Sequence, residues 1–472
     1  MDVPLCPGCK ERDARIAELE RRNAELEKRV AALELLVHDL TRKLQALPPR
    51  AASPLPAGPF KKRSQKKPGG QPGHSAHMKP LLPIEQVDEV VPFIPKQCEQ
   101  CQHQLPHEPS VGDPEPTRHQ FTELLEKPIH VTEYQGHSRT CPHCEHITKA
   151  TIPADIRGTS IGTRLTAAMS YMAGCQGMSK RGIEETVETL LSVPISLGTI
   201  CNLEQEMSAA LAEPHREAVK AIQESATKNA DETGWKKAGI KRWLWVAATS
   251  GVVAFLIQLT RNLKAMRNLL GEPVVGIVTT DRWCVYDNLP AAQRQLCWAH
   301  LKRNWEKLAE RGGRSKELAK ACLAVHKQVF EIWHLYRGGG ITRPKLQERM
   351  AILEANLLQI LQDGEQSRVK KLARFCTRLR KVFPSMWTFV KVEGIEPTNN
   401  HGERVQRRAV IWRRRAFGCH SENGCRFVER ILTAVESLKL QKRSVLGFLQ
   451  DAITAHRGGK KAPSLLPASA GG

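Results

Sequence analysis

The stretch KNADETGWKKAGIKRWLWVAATSGVVAFLIQ, residues 228–258, marks the start of an α/β domain. Its two apolar runs, RWLWVAATS and VVAFLIQL, are separated by a Ser-Gly turn and predict adjacent strands. Residues 262–271 then have a helical pattern. VVGIVTTDRW, residues 274–283, predicts a buried strand ending at Asp281, and QLCWAHLKRNW, residues 295–305, predicts a strand running into a helix. The pattern predicts a mixed sheet with flanking helices.

Three acidic residues in and beyond this region suggest a metal site. Asp231 is expected where a strand begins or ends, and Asp281 at the carboxyl end of its strand. Glu403 lies in the segment EGIEPTNNHGERVQRRAVIWRRRAFG, which follows a predominantly helical region interrupted at residues 338–340. Two strand aspartates and one helix glutamate can hold two divalent cations, because hard cations prefer carboxylate oxygens. A pair of bound cations can promote in-line attack on a phosphodiester. Each acid alone is more often a surface charge, so the interpretation depends on all three.

The chain is strongly basic, with 71 Lys and Arg against 49 Asp and Glu, a net charge of +22 and a pI near 9.6. This balance favours a polyanionic partner, and nucleic acid is the first candidate. Around Glu403 the expected contacts to a DNA backbone are Arg404, Arg407, Arg408, Arg413, Arg414 and Arg415. In the Pro- and Gly-rich segment 48–80 they are Lys61, Lys62, Arg63, Lys66 and Lys67, although a solvated tether has the same composition.

Length and composition exclude several classes of protein. A chain of 472 residues predicts roughly three domains, and 41% hydrophobic with 25% charged residues excludes wholesale disorder. No apolar run is long enough for a membrane span, and the start of the chain lacks the apolar core of a signal peptide. We therefore expect no membrane partner and a cytoplasmic protein, associated with the nucleoid if its source is bacterial.

Residues 16–47 follow a heptad pattern typical of a leucine zipper. The d positions are Leu19, Leu26, Leu33, Leu40 and Leu47, and the a positions are Ile16, Asn23, Val30, Val37 and Leu44. β-Branched residues at a, leucine at d and a single asparagine at a favour a parallel dimer. The alternative is an amphipathic helix that packs on its own domain.

The cysteine spacing predicts structural zinc. Cys98 and Cys101, with Cys141 and Cys144, form two Cys-x-x-Cys pairs whose four thiolates can close a tetrahedral site. The gap of 39 residues between the pairs is long, so a nearby histidine could replace one thiolate. A third pair, Cys6 and Cys9, could form an intermolecular site at the start of a parallel zipper.

Residues 161–211 predict helices in a helix-turn-helix-like arrangement, with Ser196 capping the second helix, although a plain helical hairpin has the same pattern. The predicted domains are a coiled coil (1–47), a basic linker (48–80), a zinc-binding module (81–155), a helical DNA-binding region (156–224), a catalytic domain (225–425) and a C-terminal helical region with a tail (426–472).

The ordered combination of DETGW, TTDRW, CWAHLKR and NNHGER, behind the zipper, GGQPGH and two Cys-x-x-Cys pairs, resembles the insertion sequence family 66 transposases. The resemblance spans about residues 16–450. It implies an RNase H-like catalytic domain with a helical insertion, about residues 306–390, and an Asp-Asp-Glu triad of Asp231, Asp281 and Glu403. It also implies small accessory proteins encoded by the same element as partners.

We therefore expect a DNA transposase that binds terminal inverted repeats and target DNA as a homodimer. It would cleave and transfer strands with Mg²⁺ or Mn²⁺ at the triad. A non-catalytic zinc-containing DNA-binding regulator, or a domesticated transposase, would share the zipper and zinc features but has no need of the three acids. A third interpretation is a nuclease of the same fold, which cuts DNA without joining it and would contain the same three acids.

Overall fold

A computed structural model describes residues 7–45, 81–108, 113–125, 128–140, 142–153 and 158–467, with side chains described for residues 15–34 of the first range. The chain divides into two compact units, Met1–Thr122 and Glu123–Gly472. Within the described residues, no helix combines the length and apolar content that crossing a membrane requires.

The first unit contains one long helix, α1 (Pro7–Gln45). Its described a and d side chains are Ile16, Leu19, Leu26, Val30 and Leu33, each 47–60% exposed. The helix therefore presents an apolar stripe that the described part of its own chain leaves uncovered. Leu40, Leu47, Val37, Leu44, Cys6 and Cys9 lie outside the residues whose side chains are described, as does the whole predicted linker with the five cations expected to contact DNA.

The second unit begins with a small hairpin and continues through a mixed α/β body. The strands are β1 (Ser138–Thr140), β2 (Ile147–Lys149), β3 (Thr227–Lys237), β4 (Ile240–Ala248), β5 (Val253–Gln258), β6 (Ile277–Thr280) and β7 (Arg294–Leu296). The helices before β3 are α2 (Thr163–Gln176), α3 (Lys180–Leu191), α4 (Leu197–Ala210) and α5 (Ala212–Glu224), and α6 (Leu263–Leu270) follows β5. The helices after β7 are α7 (Trp298–Ala309), α8 (Gly313–Arg337), α9 (Arg343–Glu365), α10 (Lys370–Lys381), α11 (Thr388–Lys391), α12 (Asn400–Ala416), α13 (Glu422–Leu440) and α14 (Val445–Arg457).

The main sheet confirms the predicted α/β class. Its strand order is β5-β4-β3-β6-β7, with antiparallel pairs among β3, β4 and β5 and parallel pairs from β3 to β6 and β6 to β7. The sequence analysis expected a strand to begin or end at Asp231 but gave this strand no bounds. Asp231 instead lies inside the central strand, β3.

Local sequence explains several of these boundaries. The predicted cap is present: the Ser196 hydroxyl accepts a hydrogen bond of 3.2 Å from the Thr199 N–H. Gly338 to Gly340 separate α8 from α9, as the glycine run predicts. The β3–β4 turn places Ala238 and Gly239 at φ values of 47° and 78°, a conformation that a glycine adopts without steric cost.

Two hydrophobic cores stabilise the second unit. The larger core runs from Ile161 to Leu465, and its buried residues come from α2–α6, β3–β6 and α12–α14. The smaller core runs from Leu296 to Ile395 and lies within the helices that follow β7. Helices α2–α6 and α12–α14 thus share one core with the sheet, while α7–α11, together with Leu296 of β7, build the other.

A polar stripe on α13 covers the outer edge of β5. The N–H groups of alternate β5 residues donate to side-chain oxygens spaced four residues apart: Val253 to Ser437 at 2.9 Å, Phe255 to Thr433 at 3.0 Å, and Ile257 to Glu429. The Phe255 carbonyl oxygen lies 2.9 Å from His215 Nε2 on α5. Because its backbone groups are already bonded, this edge cannot pair with another strand there.

Candidate active site

The register of β3 and β6 brings two of the predicted carboxylates together. Thr227 pairs with Ile277 and Asn229 with Thr279, a constant offset that places Asp231 level with Asp281 two residues further along. Asp281 lies directly after β6, and its Oδ1 accepts a hydrogen bond of 2.9 Å from the Trp283 N–H. The two aspartates thus stand side by side at the carboxyl end of β6.

Glu403 reaches the same place from the first turn of α12, which packs against β3 and β4. The preceding residue Asn399 fixes this helix to the sheet. Its Nδ2 donates to the Ala230 carbonyl at 2.8 Å, and its Oδ1 accepts from the Asn229 side chain at 2.8 Å. The Glu403 N–H in turn donates to the Asn399 carbonyl at 3.0 Å. The helix that carries the glutamate is therefore tied to β3 at Asn229 and Ala230, the two residues directly before Asp231.

Cys297 connects the third part of the site. Its N–H donates to the Thr280 carbonyl at 2.8 Å, and its Sγ accepts from the Asn399 N–H at 3.1 Å. The next residue, Trp298, donates its N–H to the Pro397 carbonyl at 2.9 Å. These bonds fasten the start of α7 to the end of β6 and to the loop before α12. All three carboxylates are thus carried by a hydrogen-bonded frame.

The electrostatics show that the carboxylates interact. Burial, together with the charges of Glu232, Asp281 and Glu403, raises the pKa of Asp231 to about 7, against the opposing effect of the Glu232 N–H that donates to Asp231 Oδ1. An acid in such surroundings is stabilised by protonation or by a cation. The surroundings of Asp231 therefore favour a bound proton or a bound cation over a free carboxylate.

Two residues of α7, His300 and Arg303, face Glu403. Arg303 Nη2 lies 3.1 Å and His300 Nδ1 lies 3.4 Å from Glu403 Oε1, and the His300 nitrogen is buried without a hydrogen bond. Burial lowers the pKa of His300, and Arg303 lowers it further, against the opposing charges of Glu403 and Asp281. The sequence analysis assigned neither residue a role. Their spacing of three within CWAHLKR, which places both on one helical face, is the signal that could have found them.

Comparison with known proteins identifies this arrangement. The family model "Transposase IS66 family" matches residues 158–426, which include all three acids and the frame around them. The chain belongs to the transposase IS66 family. The resemblance expected from the sequence is thereby confirmed.

A curated relative matches a shorter part. The chain is 25% identical over 244 residues to the uncharacterized protein y4qI of Sinorhizobium fredii (strain NBRC 101917 / NGR234). This match covers 45% of the present chain and 43% of that protein. The chain thus spans less than half the length of the curated relative it matches.

Other acids near the candidate site form hydrogen bonds or ion pairs with residues outside it. Glu232, next to Asp231, is buried and accepts hydrogen bonds from Arg261 Nε at 2.9 Å and from the Tyr286 hydroxyl at 2.5 Å. The Arg261 guanidinium stacks over the Trp283 ring at 3.9 Å. Glu396 forms an exposed ion pair with Arg337 at 2.8 Å. These contacts turn Glu232 and Glu396 away, so that Asp231, Asp281 and Glu403 are the acids that lie together.

A second set of donors adjoins the acids. Cys297, His300 and Glu403 each offer one ligand atom, and these atoms lie within 4.8 Å of one another. The Cys297 thiol, however, is fully buried and already accepts the Asn399 N–H. Burial also raises its pKa, which favours the neutral thiol over the thiolate that binds metals. The carboxylate oxygens are therefore the better ligands here.

The six arginines of α12 do not share one environment. Arg408 donates to Glu436 at 2.6 Å and to the Cys175 carbonyl, and Arg413 donates to the Thr233 hydroxyl at 2.7 Å and to the Gly234 carbonyl at 2.6 Å. Arg404, Arg407, Arg414 and Arg415 are exposed. Of these, Arg415 also donates to the Gln176 carbonyl at 2.9 Å. Arg408 and Arg413 thus bond within the fold, and DNA binding by the other four arginines stays a prediction.

The two zinc-type turns are alike where the structure describes them. In the first unit the Cys98 N–H donates to the His103 carbonyl at 2.9 Å, and Gln102, directly after Cys101, has a φ of 61°. In the second unit Glu145, directly after Cys144, has a φ of 58°. Backbone N–H groups near Cys101 lower the pKa of the Cys98 thiol. Cys141 lies outside the described residues, so the four-cysteine site stays a prediction.

Proposed function

We propose that the chain is a DNA transposase whose catalytic residues are Asp231, Asp281 and Glu403. The single observation that carries this proposal is the convergence of the three acids: the β3–β6 register sets Asp231 beside Asp281, and Glu403 adjoins them from the first turn of α12. A folded protein keeps such a cluster at a cost in stability, which a binding module would not need. Membership of the transposase IS66 family supplies the reaction class.

The donor set suits divalent cations such as Mg²⁺ or Mn²⁺. Carboxylate oxygens are hard ligands, and buried carboxylates that repel one another gain stability when a cation binds among them. Bound there, a pair of such cations would activate the attacking water or 3′-hydroxyl and stabilise the leaving oxygen of the phosphodiester.

The protein's own residues would orient the reactants. Asn399 and Cys297 hold the three acids in a fixed frame, while Arg303 and His300 hold the Glu403 carboxylate against the site. The exposed arginines Arg404, Arg407 and Arg414 extend from Glu403 along α12 and would bind the phosphates that flank the scissile bond.

The remaining assignments belong to the same proposal. The α1 stripe would pair two chains, so that two transposon ends carrying inverted repeats are held together. The cysteine turns would hold zinc as a structural element, and small accessory proteins of the same element would join the assembly.

A cleavage and joining assay tests this proposal. The substrate is a labelled duplex from the DNA flanking the gene, and wild type is compared with Asp281→Asn and Glu403→Gln in Mg²⁺ or Mn²⁺. Metal-dependent nicks and joined products that both variants lose would support the transposase. Nicks without joining would identify a nuclease.

The non-catalytic alternative has its own outcome in this assay. Specific end binding without nicks, unchanged after addition of the neighbouring small proteins, would favour the DNA-binding regulator. Normal cleavage by either variant would overturn the catalytic assignment, because nothing else in the proposal replaces a lost carboxylate. Glu396→Gln serves as the matched control, since that glutamate lies in an exposed ion pair outside the site.

A further inference from the structure

The helix α10 is the most one-sidedly charged helix beside the proposed active site. Its sequence, KKLARFCTRLRK, contains six Lys and Arg and no acidic residue. One face is buried through Leu372, Cys376 and Leu379. The opposite face exposes cations at a spacing of three and four residues, namely Lys371, Arg374, Arg378 and Lys381. This set is called the α10 basic face.

The α10 basic face has no acidic partner within the described residues. Arg380, on a different side of the helix, forms an ion pair of 2.9 Å with Glu365 of α9, but the four cations of the basic face form no ion pair there. Some cations elsewhere in the same helical insertion are matched by acids, as Lys345 is by Glu348. Like charges at this spacing repel one another and destabilise a helix. The fold itself therefore gains nothing from these charges.

A direct contact links α10 to the proposed site. Arg282, the residue after Asp281, places its guanidinium 5.1 Å from the centre of the Phe375 ring on α10. Its Nε also donates to Asn304 of α7 at 3.0 Å. Phe375 neighbours Lys371 and Arg378 on the helical surface, four residues from one and three from the other. Arg378 is also one of the charges that act on Arg282, whose pKa is lowered first by burial.

We propose that the α10 basic face binds the phosphate backbone of the duplex whose scissile bond lies at Asp281. This inference rests on the proposed transposase function and adds a DNA-binding surface to it. Guanidinium and ammonium groups on a rigid helix neutralise phosphates irrespective of base sequence. The contact through Arg282 gives this surface a fixed position relative to the acids, so that DNA bound on it extends into the site.

The test measures how DNA affinity depends on salt. A triple variant, Lys371→Gln with Arg374→Gln and Arg378→Gln, is compared with wild type on the labelled flanking duplex. Each lost phosphate contact reduces the slope of log Kobs against log salt concentration by roughly 0.9, so we expect a reduction of about 2–3. We also expect a loss of affinity of more than about tenfold at low salt.

Two controls separate charge from position. Lys316→Gln with Lys320→Gln and Arg349→Gln removes the same net charge from exposed, unpaired cations of α8 and α9, and should leave the slope near the wild-type value. Arg374→Lys with Arg378→Lys keeps the charge and should also keep the slope. Thermal unfolding should show that the triple variant folds, because its substitutions relieve repulsion on an exposed face.

The outcomes distinguish the two proposals. A wild-type slope in the triple variant would overturn the role of the α10 basic face and leave the transposase proposal standing. Equal losses in the triple variant and in the charge-matched control would also overturn it, because net charge alone would then explain the effect. If the wild-type protein shows no salt-dependent binding to the duplex, both the α10 proposal and the transposase proposal are overturned.

Discussion

The side-chain amide of Asn399 donates a hydrogen bond of 2.8 Å to the backbone carbonyl of Ala230, and so joins the helix of Glu403 to the strand of Asp231. Asn399 is fully buried, and its amide oxygen accepts a second bond from Asn229. Because both halves of the amide are used, only a side chain with a donor and an acceptor can take its place. The distance between two of the proposed catalytic acids thus depends on a residue that contacts neither substrate nor metal.

Asn399→Asp should impair cleavage while leaving DNA binding nearly intact. The carboxylate cannot donate to the Ala230 carbonyl, and it adds a negative charge beside acids that already repel one another. A buried polar group without its partner costs about 1–3 kcal/mol, so the free energy of unfolding should fall by that amount or more. Urea unfolding and the cleavage assay measure the two effects.

Asn288→Asp is the matched control for this substitution. Asn288 is exposed and its amide also donates to a backbone carbonyl, that of Val285 at 2.8 Å. Little change in stability or cleavage is expected there. Full activity in Asn399→Asp would show that the position of Glu403 does not depend on this hydrogen bond.

The sequence predicted the apolar strands of the sheet, but it predicted only the end of a strand, without bounds, where the central strand β3 lies. RWLWVAATS and VVAFLIQL became β4 and β5, whereas β3 has the sequence TKNADETGWKK and alternates buried with partly exposed residues. Its polar side chains are paired with partners distant in the chain, as Glu232 is with Arg261 and Tyr286. Local pattern cannot show such long-range compensation.

The residues of the candidate site also fall into those that the sequence could name and those that it could not. The three acids could be named from sequence because each follows or lies within a recognisable motif. The supporting residues Asn399 and Cys297 could not, because their roles arise from contacts about 100 residues or more apart in the chain. The run of arginines predicted DNA contacts for Arg408 and Arg413. The packing of α12 shows instead that Arg408 bonds to α13 and α2, and that Arg413 bonds to β3.

Thr433→Val should destabilise the sheet edge. The threonine hydroxyl accepts the buried Phe255 N–H at 3.0 Å, and valine has nearly the same shape but no acceptor. The unpaired N–H should lower the free energy of unfolding by about 1–3 kcal/mol, measured by urea denaturation. Thr433→Ser, which keeps the hydroxyl, should recover most of that loss.

An exposed threonine provides the comparison for this substitution. Thr377 on α10 donates its hydroxyl to the Ala373 carbonyl at 3.0 Å, where water can replace the bond. Thr377→Val should therefore change stability little. Equal effects at the two positions would contradict the role of α13 in satisfying the β5 edge.

Glu429 should make stability fall as pH rises from about 4.5 to about 7. Burial raises its pKa to about 7, with Arg426, the Ile257 N–H and Arg430 opposing. His215 on α5 faces the same arginines, but burial lowers its pKa to about 4, so it stays neutral in this window. Between the two pKa values of Glu429 the unfolded state binds fewer protons than the folded state, so stability declines with pH and levels off above about pH 7.

Glu429→Gln isolates this contribution. The variant should gain stability relative to wild type between about pH 5 and about pH 8, because it keeps an acceptor for the Ile257 N–H without a buried charge. Urea denaturation at both pH values, with each protein as its own reference, gives the difference. A difference between the two proteins that does not change with pH would rule out titration of Glu429 in this range.

Leu26→Lys should separate the proposed dimer into single chains. Leu26 occupies a d position and is 50% exposed on α1, so only a second helix could bury it. A lysine there would place two like charges in the seam of a parallel coiled coil. Ala24→Lys, at a b position on the outer face of the same helix, adds the same charge outside the seam. Sedimentation of the full chain should give a dimer for wild type and Ala24→Lys and a monomer for Leu26→Lys.

Asn23→Val should strengthen the assembly and weaken its preference for two strands, since a buried asparagine at a selects that state at a cost in stability. Wild type that sediments as a monomer would contradict the zipper, and a dimer unaffected by Leu26→Lys would locate the interface away from α1.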